Sequence, residues 1–315
     1  MLTEMSSLAV VIPLYNHSAY IGAALDSVYA QTRPADRVII IDDGSKDDSY
    51  EVAQQLARSG TEVIRQENRG AHATLNRGVE MADGADFVAI LNSDDLWHPQ
   101  RLAQCVKAFS ALPVQAVCTG LHLIDPAGAN VAQTSPKLRR LRKVWNLVQK
   151  ESDPLLSFAV SNFAKTTSNL VARRPFLLTH PFGAYRYVHD YHFFIQAAVR
   201  DQIGVVHHDL LGYRVHDTNT IKADGKKAVV AETIQMHLDL LGSLAPDLAK
   251  SPRLRNRFRL YLQRLMGNYT DFRGELFLQI IAEAIGKNPA LFHAAALGSF
   301  DEFEGKSAPL PDKGV

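Results

Sequence analysis

A pair of adjacent carboxylates, Asp42 and Asp43, is the strongest chemical signal in the chain. The pair directly follows the apolar run at residues 38–41, and Gly44 and Ser45 come next. Fixed acceptors at the end of a buried strand can receive a hydrogen bond from the N–H edge of a nucleobase such as uracil. A turn followed by a helix cap at Ser45 is the alternative, and it explains the glycine and the serine better than the two acids. The pair therefore indicates a nucleotide-binding crevice.

A second acidic pair, Asp94 and Asp95, follows Asn92 and Ser93 after the apolar run at residues 87–91. Adjacent acids repel each other, and a divalent cation or solvent relieves that repulsion. Carboxylate oxygens suit Mg²⁺ or Mn²⁺, and either ion can bind the phosphate oxygens of a substrate. An exposed loop that caps the next helix is the alternative. Together, the two pairs predict a site for a nucleotide diphosphate, with the base at one pair and the phosphates at the other.

Apolar runs and helical apolar spacings alternate along the first ninety residues. Predicted strands at residues 8–12, 38–41, 62–64 and 87–91 are separated by stretches with apolar residues at helical intervals. Strands that are apolar on both faces belong to a parallel sheet covered by helices, and the crossovers place their carboxyl ends at one edge. We therefore expect both acidic pairs at that edge, where ligands bind in such folds.

The remainder of the chain is less regular. Short strands are predicted at residues 116–121, 169–172 and 210–215, and a helix at residues 191–199. From about residue 223 the pattern is helical throughout. We therefore predict a main α/β domain over residues 1–222 and a helical extension over residues 223–315, whose tail at residues 305–315 is expected to be frayed.

The composition excludes several classes of protein. The 34 Lys and Arg residues balance 33 Asp and Glu residues at a net charge of +1, so binding to nucleic acid is not expected. The hydrophobic share of 46% is typical of a folded globular protein. The two cysteines, Cys105 and Cys118, lack the spacing of a metal site or a disulfide framework, which favours a reducing, cytoplasmic location. The amino-terminal apolar run is predicted to be a strand and not a signal peptide, and no stretch reaches the ~20 apolar residues of a membrane span.

Five motifs occur in a fixed order within about the first hundred residues. They are Val10-Val11-Ile12-Pro13-Leu14-Tyr15-Asn16-His17, Asp42-Asp43-Gly44-Ser45, Asn68-Arg69-Gly70, Asn76-Arg77-Gly78, and Leu91-Asn92-Ser93-Asp94-Asp95 with Pro99 after it. In order and spacing they resemble the motifs of family 2 glycosyltransferases. The resemblance implies a GT-A fold, with a Rossmann-like, mostly parallel sheet flanked by helices, and here a C-terminal helical extension. It also implies a catalytic domain over residues 1–222 that transfers a sugar, with inversion, from a nucleotide-sugar donor, with UDP-sugars favoured and Mn²⁺ or Mg²⁺ as cofactor.

The resemblance assigns the donor nucleotide to the loops that follow the first strands. Asp42 would contact the base, and Asp43 and Arg69 would close the same pocket. The full set of residues implied for donor binding is Pro13, Tyr15, Asn16, Asp42, Asp43, Arg69 and Ser93.

The resemblance places the cation at the second acidic pair. Asp94 matches the last acid of the family's metal-binding DxD element and would bridge the cation to the diphosphate. Asn92 replaces the first acid of that element, so Asp95 is a further candidate ligand. His216 lies in a Tyr-Arg-x-His-x-x-Asn segment (213–219) that also resembles the family, and it could complete the ligand set because neutral imidazole binds Mn²⁺. A structural histidine is the alternative.

Transfer to an acceptor hydroxyl needs a base, because a sugar hydroxyl is a poor nucleophile at neutral pH. Asp190 is the implied base: the family places a Glu-Asp pair at the start of a helix here, and His189 takes the place of the Glu. An acid favoured by the helix dipole is the alternative. The resemblance also implies that Thr167, Ser168 and His189 line the sugar and acceptor site, although the two hydroxyls equally suit a loop.

The predicted partners are a nucleotide-sugar donor and a glycan or lipid-linked acceptor, as in the synthesis of cell-surface polysaccharides or glycoconjugates. The basic segment at residues 137–143 and the arginine-bearing C-terminal helix point to peripheral contact with the inner face of the membrane, and the C-terminal helices offer a homodimer interface. A solvated basic face is the commoner explanation. The alternative functions are a non-catalytic nucleotide-sugar- or glycan-binding protein on the same fold and, second, a sugar nucleotidyltransferase.

Overall fold

An eight-stranded sheet is the centre of the structure, a computed structural model that describes residues 6–132, 134–151, 153–216 and 226–267. The strands are β1 (Leu8–Leu14), β2 (Arg37–Asp42), β3 (Thr61–Arg65), β4 (Phe87–Ile90), β5 (Leu96–Trp97), β6 (Ala116–Ile124), β7 (Val171–Arg173) and β8 (Ile203–Arg214). Their order across the sheet is β3-β2-β1-β4-β7-β6-β8-β5.

Helices cover both faces of this sheet. The described helices are α1 (Ile21–Tyr29), α2 (Ser49–Leu56), α3 (Ala71–Met81), α4 (Arg101–Ala111), α5 (Pro136–Lys150), α6 (Pro154–Val160), α7 (Arg174–Thr179), α8 (His189–Val199), α9 (Lys226–Lys250) and α10 (Pro252–Gly267). A single 3₁₀ turn, Thr167–Asn169, precedes β7.

Most of the described strands run in one direction. Strands β1 to β4 pair in parallel, and so do β6 and β8. Strand β7 is antiparallel to both β4 and β6, and β5 is antiparallel to β8. The prediction of a mostly parallel sheet is therefore confirmed, and the carboxyl ends of β1, β2, β4 and β8 lie at one edge.

The residues of β1 alternate between two hydrophobic cores, as the two-residue period of a strand requires. Val10 packs in the core that α1 and α4 cover, and Val11 packs in the core that α3 covers. Helix α3 packs tightly on β1 at Gly78, where an added Cβ would lie only 2.3 Å from Val11 Cγ1. Cys105 and Cys118 are fully buried, one in each core.

The four strands predicted in the first ninety residues are present as β1 to β4, and the helix predicted at residues 191–199 is the main part of α8. Helix α2, however, begins at Ser49 with Asp48 as its N-cap, so the alternative interpretation of Ser45 as a helix cap is wrong. Strand β8 begins at Ile203, seven residues before the predicted start. Its middle, His207 to Asp209, is exposed and polar, so the sequence there lacks the apolar run that is typical of a buried strand.

The described part of the predicted extension packs against the main domain. Helices α9 and α10 both contact α8, and α10 also contacts α6. Met236 and Leu240 of α9 and Phe258 and Tyr261 of α10 are buried in the core on the α3 side of the sheet. The tail at residues 305–315 lies outside the described residues. Within the described ranges, no helix combines the length and the hydropathy needed to cross a membrane.

Candidate functional site

The loops that follow β1 and β2 are joined by side-chain hydrogen bonds. The Asn16 backbone N–H donates to Ser45 Oγ at 2.9 Å, and Asn16 Oδ1 accepts from the Lys46 N–H at 2.8 Å. Asn16 has a positive φ of 51°, a conformation that asparagine tolerates better than most residues. The next residue is held as well, because the His17 N–H donates to Ser49 Oγ at 2.8 Å. These bonds bring the first two predicted donor loops together.

Asp42 ends β2 with its side chain fully buried. Its Oδ2 accepts from Arg65 Nε at 2.8 Å and from the Ser45 N–H at 3.3 Å. Its Oδ1 is buried and has no hydrogen-bond partner. An unsatisfied buried acceptor costs free energy, and a donor from a bound ligand removes that cost. The geometry therefore suits the predicted contact between Asp42 and a nucleobase.

Asp43 holds the loop that leads into α3. Its Oδ1 accepts from the Arg69 N–H at 2.9 Å and from Gln66 Nε2 at 2.7 Å, and its Oδ2 accepts from the Gly70 N–H at 2.9 Å. Both carboxylate oxygens are therefore engaged within the protein. The Arg69 side chain is exposed beside them. Asp43 thus shapes the wall of the predicted pocket through the backbone of this loop.

Pro13 and Tyr15 lie on either side of the last residue of β1. Pro13 lies beyond the last residue of β1 that is paired with β4, Val11, so its missing N–H removes no bond from that ladder. Tyr15 is 42% exposed directly before Asn16, and its ring is available to a ligand at the sheet edge.

A group of three potential metal ligands lies at the same edge. His17, Asp94 and His216 each offer one ligand atom, and these atoms all lie within 4.8 Å of one another. His216 Nε2 lies 2.9 Å from Asp94 Oδ2. His17 Nδ1 lies 2.8 Å from Ser93 Oγ, so the predicted donor residue Ser93 orients the His17 ring. The three ligands follow β1, β4 and β8, whose ends meet here.

The charge states of this cluster suit a divalent cation. Burial lowers the pKa of His17, which keeps the imidazole neutral and able to bind a metal. Burial alone would raise the pKa of Asp94, but the hydrogen bond from His216 is the main opposing effect, and the pKa lies below its ordinary value. The cluster therefore combines an ionised carboxylate with imidazole nitrogens, a donor set that fits Mn²⁺.

Asp95, the other predicted ligand, lies outside this cluster and is bonded to other groups. Its Oδ1 accepts from the Arg214 N–H at 2.9 Å, and its Oδ2 accepts from Ser168 Oγ at 2.6 Å. Burial and the negative charge of Asp94 raise the pKa of Asp95 well above its ordinary value. Both oxygens are thus engaged in joining β8 to the turn before β7. His17, which the sequence did not suggest as a ligand, joins Asp94 and His216 in this cluster, and Asp95 is not part of it.

Asn92, at the first position of the DxD-like element, is bound to the same turn. Its Oδ1 accepts from Thr167 Oγ1 at 2.8 Å, and its Nδ2 donates to Thr166 Oγ1 at 2.8 Å. Its backbone N–H donates to Ser168 Oγ at 2.9 Å. An amide can donate and accept at once, whereas an aspartate could not make the bond to Thr166 with that hydroxyl as acceptor. Thr167 and Ser168 are buried, and these bonds place them beside the acidic pair.

Asp190 lies in the first turn of α8 and is 6% exposed. Its Oδ2 accepts from Asn162 Nδ2 at 3.2 Å, and its Oδ1 accepts from the Tyr191 N–H at 2.6 Å. Burial raises the pKa of Asp190 to about 7 in spite of these hydrogen bonds. A carboxylate whose pKa is close to the working pH is well suited to take a proton from a hydroxyl.

Tyr213 of β8 shows that Asp190 lies at the same end of the sheet as the acidic pair. Burial raises the pKa of the Tyr213 phenol, and the negative charges of Asp95, Asp94 and Asp190 raise it further. Such charge effects require the groups to be close together. The three acids therefore lie close enough to this phenol to affect its pKa.

His189, predicted at the sugar site, has a ring nitrogen close to the backbone of the preceding turn. Its Nδ1 lies 3.2 Å from the Tyr185 carbonyl oxygen, and burial lowers its pKa to about 4. The imidazole is therefore neutral at physiological pH. The residues that the sequence reasoning did not assign are His17, Asn162 and Tyr213. His17 carried a usable signal, because it ends the motif that follows β1.

A model of the family described as "Glycosyl transferase family 2" matches residues 9–178, more than half of the chain. An uncharacterized glycosyltransferase of Nostoc sp. is 36% identical over 137 residues, which make up 42% of this chain and 42% of that relative. The chain thus matches less than half of the length of that relative.

Two solved structures share the fold. The structure of S. aureus TarS 1–349 in complex with UDP-GlcNAc has a TM-score of 0.63 at 15% identity and covers 89% of this chain and 80% of its own. Glucosyl-3-phosphoglycerate synthase from Mycobacterium tuberculosis is solved in complex with Mn²⁺, uridine diphosphate and glucosyl-3-phosphoglycerate. It has a TM-score of 0.52 at 21% identity, and the match covers 76% of this chain and 80% of the synthase chain. These similarities establish the fold, and the predicted GT-A architecture is confirmed.

Proposed function

Because the chain belongs to glycosyl transferase family 2, we propose that it transfers a sugar from a nucleotide-diphosphate donor to an acceptor hydroxyl with inversion. One observation carries the proposal: a buried aspartate with a pKa of about 7, Asp190, lies near the cluster of His17, Asp94 and His216, because Asp190 is hydrogen-bonded to Asn162 and Thr166 of the same segment is hydrogen-bonded to Asn92. The first can remove a proton, and the second can hold a cation beside a diphosphate. A sugar transferase needs both functions within the length of one donor molecule.

The donor nucleotide is proposed to lie across the loops after β1, β2 and β3. The partnerless Oδ1 of Asp42 can accept from the N3–H of a uracil. The exposed ring of Tyr15 can pack against the base, and the Arg69 side chain can cover it. UDP-sugars are the favoured donors, since S. aureus TarS and the mycobacterial synthase are solved with UDP-GlcNAc and UDP, respectively.

The cation is proposed to be Mn²⁺ or Mg²⁺, held by His17, Asp94 and His216. Bound there, a divalent cation supplies positive charge beside the phosphates of the donor. The protonation states of the ligands suit a cation, because Asp94 is ionised and His17 is neutral. Ser93 orients the His17 ring, and Arg214 Nε donates to the Asp94 carbonyl oxygen at 2.6 Å, which fixes the backbone of the acidic pair.

Asp190 is proposed to take the proton of the acceptor hydroxyl as that oxygen attacks the anomeric carbon. Attack comes from the side opposite the nucleotide, the bond to the diphosphate breaks, and the configuration at the anomeric carbon inverts. A positioned base of this kind contributes about 10²–10⁴-fold to the rate. Thr167 and Ser168 are buried beside the acidic pair, next to the place where the sugar would lie.

The acceptor is proposed to be a glycan or lipid-linked hydroxyl compound in the synthesis of a cell-surface polysaccharide or glycoconjugate, at the cytoplasmic face of the membrane. The basic residues of α5, Arg139, Arg140 and Arg142, are exposed, while Leu138 and Leu141 of the same helix are buried. Any membrane contact through α5 would therefore be electrostatic. Membrane contact and a homodimer through the C-terminal helices stay predictions.

Thermal stabilisation by nucleotide sugars tests the proposal. UDP-, GDP-, CMP- and dTDP-sugars are compared with and without Mn²⁺, and we expect a UDP-sugar to raise Tm in a cation-dependent manner. Asp94→Ala should abolish that dependence. Asp190→Asn should keep the stabilisation and lose turnover, measured as release of the nucleotide. Donor binding without transfer to any acceptor would instead support a nucleotide-sugar-binding protein, and pyrophosphate release from a nucleoside triphosphate would support a nucleotidyltransferase.

A further inference from the structure

Helix α9 contacts the chain directly before the proposed catalytic base. The Glu232 carboxylate accepts from the backbone N–H groups of Arg186 and Tyr187, both at 2.5 Å, and from that of Val188 at 3.2 Å. Val188 is the N-cap of α8, and Asp190 is the second residue of that helix. One side chain of the extension therefore holds three consecutive amides at the entrance to the base-bearing helix.

The N-cap residue of helix α8, Val188, has an apolar side chain that cannot accept a hydrogen bond. No side chain caps it at Val188, although the first N–H groups of a helix need acceptors from outside the helix. A negative charge beside the amino end of a helix is also favourable, because the helix dipole is positive there. Glu232 supplies a carboxylate next to this end from a different helix.

A second contact fixes the same segment. Tyr185 Oη donates to Asp239 Oδ2 at 2.7 Å. Glu232, Met236 and Asp239 follow one another at spacings of four and three residues, so they share one face of α9. Met236 is fully buried between the two acids, which fixes this face of α9 against the main domain.

Asp190 has few contacts of its own that would hold it in place. Among the residues that the structure describes, the Asn162 amide is the one group outside α8 that donates to its carboxylate, at 3.2 Å. Its direction is therefore set by the backbone of the first turn of α8, which follows the three amides bound to Glu232. A shift of about 1 Å in that turn moves the base away from the acceptor hydroxyl, and misplacement of this size can reduce a rate by about 10²-fold.

We propose that Glu232 is a positioning residue for Asp190, and that helix α9 thereby forms part of the active site. Asp239 supports the same segment through Tyr185. The inference rests on the proposed function, because it needs Asp190 to be the base.

The test compares Glu232→Ala and Glu232→Gln with Asp247→Asn in the full chain. Asp247 is a matched control, since it is on the same helix and its carboxylate pairs with Arg200 at 3.4 Å, away from Asp190. Glutamine keeps the length of the side chain and one acceptor oxygen, so it tests the site even if the alanine variant folds poorly. Hydrogen exchange of the amides at residues 186–188 reports the contact, and turnover of a UDP-sugar with Mn²⁺ reports the base.

We expect Glu232→Ala to speed exchange at these three amides and to lower kcat by about 10- to 100-fold, with the donor KM changed less than about twofold. Looser packing also admits water to Asp190, so the acidic limb of the kcat–pH profile should move to lower pH. Glu232→Gln should lie between alanine and wild type, and Asp247→Asn should match wild type.

Faster exchange with unchanged kcat and pH profile overturns the positioning role and leaves the proposed function intact. A proportional loss in all three variants also overturns it, because that result shows a general loss of stability. A wild-type protein that binds the donor and Mn²⁺ but transfers no sugar contradicts the proposed function, and the inference is then overturned with it.

Discussion

At the scale of single residues, the burial of Asp190 determines the pH at which its carboxylate can accept a proton. Because burial raises its pKa to about 7, the carboxylate is protonated in acid and becomes a base only as the pH rises through that value. We therefore expect kcat to increase through an apparent pKa near 7 and then level off. Initial rates of nucleotide release at saturating donor, from about pH 5 to about pH 9, measure this profile. An acidic limb close to the ordinary pKa of aspartate would contradict the assignment of the base.

The same burial predicts a stability cost at higher pH. The pKa of Asp190 is raised in the folded protein above its ordinary value of 3.8, so the folded state binds this proton more tightly than the unfolded chain. The stabilisation is fully present below the lower value and is lost as the pH rises through about 7. Asp190→Asn should therefore raise Tm relative to wild type at about pH 8, and the gain should shrink at about pH 5. A gain that does not depend on pH would have another cause.

The proposed cation ligands predict a preference among metals. Mg²⁺ binds oxygen ligands almost exclusively, whereas imidazole suits Mn²⁺. Because two of the three ligands are His17 and His216, we expect Mn²⁺ to bind more tightly than Mg²⁺. His17→Gln should weaken Mn²⁺ binding by about 10-fold or more, measured by electron paramagnetic resonance of the free ion.

His98→Gln is the matched control for that substitution, since His98 is exposed on a surface loop. It should leave Mn²⁺ binding unchanged. Equal affinity for the two ions, together with unchanged binding by His17→Gln, would remove His17 from the ligand set.

The sequence could locate the acidic pairs but could not orient each acid. Asp94 and Asp95 are neighbours with identical side chains, and only contacts with distant parts of the chain separate them. Ser168 and Arg214, which engage Asp95, lie 73 and 119 positions away. His17 was visible in a motif, yet its proximity to Asp94 depends on β1 and β4 being paired. Residue types therefore predicted the kind of site, and tertiary contacts decided which residues face it.

At the scale of elements, the approach of α3 to β1 makes Gly78 a packing requirement. An added methyl group would overlap Val11 Cγ1, so Gly78→Ala should lower the free energy of unfolding by about 1–3 kcal/mol. Gly242 on the exposed side of α9 has no atom within 4 Å of an added Cβ. Gly242→Ala should instead raise the free energy of unfolding by about 0.5–1 kcal/mol. Urea unfolding of both variants measures the difference, and equal effects would contradict this packing argument.

Strands and helices with a strong periodic pattern could be predicted, and those fixed by tertiary contacts could not. Strands β1, β2 and β4 are apolar on both faces, and the pattern alone reveals them. Strand β5 has only two residues, Leu96 and Trp97, and exists because it pairs with β8. Helices α5 to α7 were not predicted from periodicity, since α6 and α7 are only seven and six residues long and α5 combines exposed basic residues with three buried apolar ones.

At the scale of the whole molecule, the main domain and the described part of the extension share one core. Tyr261 of α10 is fully buried, and its hydroxyl lies 2.8 Å from His237 Nε2 of α9. Arg257 of α10 donates to the Ala198 and Val199 carbonyl oxygens at the end of α8. Helix α8, which carries the proposed base, is therefore held at its start by α9 and at its end by α10. Composition could indicate a helical extension but not this enclosure of α8.

The two buried cysteines can be used to detect local opening of the folded protein. Cys105 lies in the core under α4 and Cys118 in the core on the opposite face, and burial raises the pKa of both thiols. A thiol-reactive dye can therefore label the native protein only when one of these layers separates from the sheet. Labelling kinetics, read cysteine by cysteine, would show which layer opens first and whether a bound nucleotide slows that opening, without any engineered probe.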